Sequence, residues 1–207
     1  MTLVTNVEAL VDLIEATPRE HHRKIIALAG PPASGKSTLA ERLVEKFNTG
    51  AQVVPMDGFH LSNEILASRG HLARKGAPHT FDADGFISLV SRLRNEPEVY
   101  YPVFDRSIET AIAGAGFVSK SCDTVIVEGN YLLRDCAPWR DLVPLWDASV
   151  FLDIPTNILE KRLIQRWIDH GFSPKQAQTR AEQNDLPNAR QVQEQSLESS
   201  HIFRPVI

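Results

Sequence analysis

Along this chain, short apolar runs alternate with stretches whose apolar residues recur every three or four positions. The runs at 25–29 (I-I-A-L-A), 51–54, 124–127 (T-V-I-V) and 149–154 read as strands buried on both faces. Residues 6–16 carry Val7, Leu10, Val11 and Ile14 at helical spacing, with Thr5 and Glu8 placed as a capping box. Leu39, Leu43, Val44 and Phe47 form a similar stripe, as do Phe86, Leu89, Val90 and Leu93 within 82–95. Further helices are expected over 61–69 (ended by Gly70), 139–145 (broken by Pro144), 156–168 and 188–197. Residues 99–105 and 108–113 read as paired strands joined near Arg106 and Ser107, with 114–116 (G-A-G) as the next turn. Residues 202–206 supply a last strand. Strands alternating with helices imply an α/β fold with a parallel sheet covered on both faces.

Length and composition leave that picture intact. A chain of 207 residues forms one domain with a good core, and 43% hydrophobic with 23% charged residues is ordinary globular usage. A net charge of −4 argues against nucleic acid or an anionic membrane as principal partner. No run approaches the roughly 18–20 apolar residues of a membrane span. The first residues lack the basic region of a signal peptide, and Glu8, Asp12 and Glu15 interrupt the apolar positions. Two cysteines, Cys122 and Cys136, show no metal-ligand spacing, so a reduced, cytoplasmic setting is expected.

Chemistry enters at residues 30–37, G-P-P-A-S-G-K-S, between a buried strand and an amphipathic helix. This is the G-x-x-x-x-G-K-S phosphate loop. Gly30 and Gly35 let the backbone curl, so that N–H groups across Ala33, Ser34, Gly35, Lys36, Ser37 and Thr38 face an anion. The helix opening there adds unpaired donors and a favourable dipole. Lys36 brings a positive charge for the β- and γ-phosphates of a nucleotide, and the Ser37 hydroxyl is placed to ligate Mg²⁺.

In a parallel sheet, ligands gather at the carboxyl ends of strands. Asp57 follows the second central strand and suits a general base for phosphoryl transfer to an alcohol; the alternative is a solvated turn aspartate before Gly58. Glu128 closes the third, where a carboxylate can organise Mg²⁺ opposite Ser37; the alternative is an exposed strand-end charge. Arg162 and Arg166 lie four apart and reach one anion, or they belong to a solvated helix face. The polar stretch at about 166–187 has the character of a lid. His60, His79, Asp105 and Arg106 sit in polar connections beside Phe59, Phe81 and Phe104 and together suggest an acceptor pocket. Arg74 lies in a polar loop, 71–80, that can face the same pocket.

The motifs M-D-G-F-H (56–60), R-K-G-A-P-H-T-F-D (74–82), Y-P-V-F-D-R (101–106) and V-I-V-E-G-N-Y-L-L (125–133) resemble the phosphoribulokinase/uridine kinase family of P-loop kinases. The second is similar to a stretch of the bacterial pantothenate kinases, and the chain also resembles a sugar-uptake-linked branch. The resemblance implies a P-loop fold with a five-stranded parallel sheet in order 2-3-1-4-5. It also implies an acceptor-binding insertion over about 58–118 and ATP with Mg²⁺ as cofactors. By resemblance Asp57 falls on the catalytic aspartate, Glu128 on the acidic strand end, and Arg162 and Arg166 on the lid-bearing helix. Tyr101, Asp105 and Arg106 fall on the acceptor hairpin, Arg74, His79 and Phe81 on the acceptor loop, and Asn188 near the adenine contacts. Where uridine kinases carry D-S-F-Y this chain has D-G-F-H, so uridine is not the implied acceptor. The expected activity is transfer of the γ-phosphoryl group of ATP to a hydroxyl of a small metabolite. A P-loop regulator that hydrolyses nucleotide without an acceptor is the alternative. A small-molecule substrate is the expected partner, and a homodimer is compatible with the sequence.

Overall fold

The computed structural model describes residues 1–47 and 50–206. The Lys24–Ala29 strand (β2) is buried at every position, because its two faces meet two different helical layers. Ile25, Ala27 and Ala29 turn towards the helix Ala83–Asn95 (α4), whose Phe86, Leu89, Val90 and Leu93 are buried in the same core. Ile26 and Leu28 turn the other way, towards Val7–Ala16 (α1) and Lys36–Lys46 (α2). Burying Leu10 and Ile14 completely contributes about 1.5–3 kcal/mol per side chain, which is what makes a ten-residue helix stable here.

Five parallel strands stand in the expected order: β3 (Ala51–Pro55), β6 (Thr124–Gly129), β2, β7 (Ala148–Leu152) and β8 (His201–Phe203). The expected count of five is corrected to six. Thr2–Val4 (β1) pairs in parallel with β8 at the sheet edge. Three residues are too few to show alternation, so no periodic pattern marks this strand. The strand also displaces the expected cap of α1: the chain leaves the sheet after Val4, and Asn6, not Thr5, accepts the Ala9 N–H at 2.8 Å.

Between β3 and β6 the chain builds the segment over the strand ends: Asn63–Ser68 (α3), α4, and an antiparallel hairpin of Val99–Asp105 (β4) and Thr110–Val118 (β5). The hairpin turn lies at 106–109, and residues 114–116, expected as a turn, continue β5. Gly116 is there because the Tyr101 ring lies across it, 2.2 Å from where a Cβ would stand. Gly58 has a similar reason. A Cβ on it would meet the Pro102 carbonyl oxygen at 1.9 Å, so only glycine lets the hairpin close on the Asp57 segment.

The polar stretch expected as a lid is mostly helical. Thr156–Asp169 (α5) turns through Gly171 into Pro174–Arg180 (α6), a π-turn Ala181–Asp185, and Leu186–Glu194 (α7) without a break. Pro187 lies inside this helical run. It lacks the N–H that the Gln183 carbonyl would receive in a regular helix, and Arg74 Nη1 donates to that carbonyl instead, at 2.8 Å. No helix among the described residues is long and apolar enough to cross a membrane.

Candidate active site

The loop after β2 is shaped by two left-handed residues, Ala33 (φ 60°) and Gly35 (φ 97°), which turn successive N–H groups inward. Gly35 begins α2 without a side-chain cap, so the first-turn donors stay open to a ligand. Pro32, Ala33, Gly35, Lys36, Ser37 and Thr38 line a hollow of about 260 Å³, whose far wall is Asp57, Arg106, Glu128, Gly129, Asn130 and Arg166. Gly30 lies buried behind it, and the Ser34 hydroxyl is buried with no partner among the described residues.

Lys36 is buried, and its Nζ donates to the Pro31 carbonyl (2.9 Å) and to Asn130 Oδ1 (2.8 Å). Burial holds its pKa below the ordinary value, with Glu128 and Asp57 pulling it back up. Asn130 is a partner that the sequence-based reasoning missed. Its only signal was its place directly after Glu128-Gly129 at a strand end. Glu128 is buried too, which raises its pKa, and it accepts from the Ser37 hydroxyl at 3.2 Å. An exposed strand-end charge, the alternative for Glu128, is thereby excluded.

Asp57 is the second residue of the 3₁₀ turn Met56–Phe59 and is half-buried, with Oδ2 2.8 Å from Arg106 Nη2 of the hairpin turn. Asp57, Ser37, Glu128 and Arg106 also border a second hollow of about 300 Å³, completed by Glu41, Val53, Pro55, Val103 and Phe104. The two spaces therefore meet at Asp57 and Glu128.

Arg162 and Arg166, expected to reach one anion, are placed against different partners. Arg162 Nη1 donates to the Ala33 and Ser34 carbonyls (3.3 and 3.0 Å) and holds the loop from outside, while Arg166 lines the loop hollow. Arg166 is backed by buried Asp185 at 3.7 Å, whose other oxygen accepts from Trp167 Nε1.

The expected acceptor contacts divide. Arg106 lines both hollows. His60 packs against Phe81 and Phe104, with Nδ1 2.7 Å from the Asp57 carbonyl oxygen. That oxygen only accepts, so the ring proton sits on Nδ1. Phe81 is a core residue, and Tyr101 is spent on the Val53 carbonyl (hydroxyl donating, 3.1 Å). Asp105 caps the hairpin turn through the Ser107 N–H and hydroxyl. His79 stacks edge-on against His71. Arg74 is taken by Gln183 and by Asn188 Oδ1 (3.3 Å); Asn188 is buried there beside Asn184, which leaves the expected adenine contact without geometric support.

Burial holds the His60 pKa below its ordinary 6.5, with Asp57 pulling upward. Below pH 6.5 the unfolded chain therefore binds a proton that the folded chain refuses, and stability falls as pH drops from there towards the folded value. Thermal melts should show this as a gap between wild type and His60→Gln that is widest above pH 6.5 and narrows below it. A gap independent of pH would contradict the assignment.

The donors fit a nucleoside triphosphate with a hard divalent cation. Open N–H groups and a buried ammonium suit phosphate, and a hydroxyl beside two carboxylates is the oxygen set that Mg²⁺ takes. The family model described as "Phosphoribulokinase / Uridine kinase family" matches residues 25–181. The chain belongs to that family. It is 36% identical over 183 residues to a Schizosaccharomyces pombe protein provisionally described as a uridine kinase, covering 82% of this chain and 78% of that one. It is 30% identical over 151 residues to the pantothenate kinase of Enterococcus faecalis, covering 69% of this chain but 49% of that one. A crystal structure from Silicibacter sp. TM1040, provisionally described as a fructose transport system kinase, superposes with a TM-score of 0.92 at 46% identity over 96% of this chain and 99% of that one. Family membership makes the protein an ATP-using phosphotransferase whose acceptor is a hydroxyl of a small molecule.

Proposed function

We propose that this kinase transfers the γ-phosphoryl group of ATP to a hydroxyl of a small polar metabolite of the sugar, nucleoside or pantothenate-like kind. One observation carries the proposal: Asp57 and Glu128 stand on the wall common to a phosphate cradle and a second, smaller-molecule space. The loop N–H groups and Lys36 hold the β- and γ-phosphates. Ser37 and Glu128 would hold Mg²⁺, which when bound offsets phosphate charge and orients its oxygens. The acceptor hydroxyl donates to Asp57 Oδ1 while Oδ2 stays paired with Arg106, and its proton passes to Oδ1 as its oxygen bonds to the γ-phosphorus and the bond from that phosphorus to the β–γ bridging oxygen breaks, releasing ADP. Arg166 stabilises charge on the transferring group, while Arg162 keeps the loop carbonyls turned away from it.

The chain works as one domain. Residues 58–118 form the acceptor segment, and residues 166–187 act as a lid that carries Arg166. Arg74 ties the two together through Gln183.

An assay of ADP release over sugars, nucleosides, pantothenate and hydroxy acids tests the proposal. Release that depends on one acceptor class is expected. Release that needs no acceptor anywhere in the panel would favour a regulatory hydrolase and overturn it.

A further inference from the structure

The second hollow carries a charge pattern that restricts the acceptor. Glu41 lies one helical turn after Ser37 on α2, so both side chains share a face and both border the space. Asp57 and Glu128 face it as well, giving three carboxylates against one guanidinium, Arg106. That guanidinium is already paired with Asp57. No described Lys or Arg forms an ion pair with Glu41.

The other basic residues of the acceptor segment near the site are committed elsewhere. Lys75 Nζ is held by Asn63 Oδ1 (2.8 Å) and Glu109 Oε2 (3.2 Å) and lies over the Phe104 ring. Arg74 is held by Gln183 and Asn188. The other cations of the site, Lys36 and Arg166, line the loop hollow instead. Negative charge is thus accommodated on one side of Asp57 and opposed on the other.

The remaining wall is apolar: Val53, Pro55, Val103 and Phe104. At about 300 Å³ the space stands at the small end of the ~300–1,000 Å³ typical of small-molecule sites. Asp57 has Arg106 beside it and Glu128 feels the charge of Lys36, so among the described residues Glu41 is the carboxylate of this wall without counter-charge; such a group accepts hydrogen bonds from O–H groups and repels other anions. An aromatic and aliphatic wall suits the C–H face of a carbon skeleton.

We infer that the acceptor is an uncharged polyhydroxylated molecule, such as a sugar or polyol, and that Glu41 excludes acceptors bearing a carboxylate or phosphate. This rests on the kinase reading and narrows its acceptor to the neutral class. It separates sugars and polyols from pantothenate-like, hydroxy-acid and sugar-phosphate acceptors, all of which the chemistry of phosphoryl transfer alone would permit.

The test pairs acceptors of one carbon skeleton: neutral sugars and alditols against the corresponding aldonates and sugar phosphates, with ADP release measured at low salt. Wild type should favour the neutral member by on the order of tenfold in kcat/KM, set by the Glu41 carboxylate. Glu41→Lys should shift the ratio towards anionic acceptors by about a hundredfold, and Glu41→Gln by about tenfold. Both shifts should shrink as salt is added, because Glu41 is exposed. Thermal melts establish that each variant is folded. Anionic acceptors used as well as their neutral partners would overturn the inference and leave the kinase reading standing. An unchanged ratio in folded Glu41→Lys would also overturn it. No turnover with either set, while calorimetry shows ATP bound, would overturn this inference and leave the kinase reading to the nucleoside and pantothenate members of the wider panel.

Discussion

Asp57→Asn is expected to lower kcat by about 10²–10⁴ while ATP affinity stays within about threefold. The carboxylate is the group at the meeting point of the two hollows that can take a proton from an acceptor hydroxyl. An amide keeps its shape and its place on the 3₁₀ turn but cannot accept that proton. The variant also loses the ion pair with Arg106, whose side chain is 67% exposed. Exposed pairs of this kind are worth little, about 0–1 kcal/mol, so the fold should survive. Calorimetry of ATP binding beside a turnover assay separates the effects. Near-normal turnover would sink the base assignment, and lost ATP binding would recast Asp57 as part of the nucleotide site.

Lys36→Ala is expected to act on the other side, weakening ATP binding by about 10–100-fold, the worth of a hydrogen bond to a charged partner. Lys36 is held ready by the Pro31 carbonyl and Asn130, so the phosphate receives an ammonium already stripped of water and fixed in place. The variant also removes the cation that stabilises the ionised form of buried Glu128. Calorimetric titration with a non-hydrolysable ATP analogue reads the change. Unchanged affinity would count against the phosphate-loop assignment.

Donor chemistry was the more legible half in the sequence. The loop is local: eight consecutive residues specify its turn, its open donors and its lysine, and the preceding apolar run fixes the strand that presents it. Asp57 and Glu128 were legible for a related reason. Strand ends can be read from apolar runs, and a parallel sheet brings those ends to one edge.

The acceptor half was much less legible. Tyr101 and Phe81 look like site residues in their motifs, yet one supports the neighbouring strand and the other fills the core. Arg74 looked like a substrate contact, but a carbonyl released by Pro187, more than a hundred residues away, claims it. Arg162 and Arg166 share a helix face and still have different partners, because Arg162 meets the outer loop carbonyls while Arg166 faces the hollow inside the loop. Asn130 and Glu41 matter only through what stands opposite them.

Beyond the strand order, which the family resemblance implied, sequence by itself determined the α/β class, the phosphate loop and the two strand-end carboxylates. Each follows from periodicity or from spacing within a few residues, which covalent geometry carries directly into space. Tertiary structure alone decided the sixth strand, the unbroken helix through Pro187, the pairing of Asp57 with Arg106, and the excess of carboxylates around the second hollow. Those features depend on contacts between distant segments. Their partners are chosen by how the hairpin, the sheet edge and the α5–α7 helices pack together, and no local pattern encodes that choice.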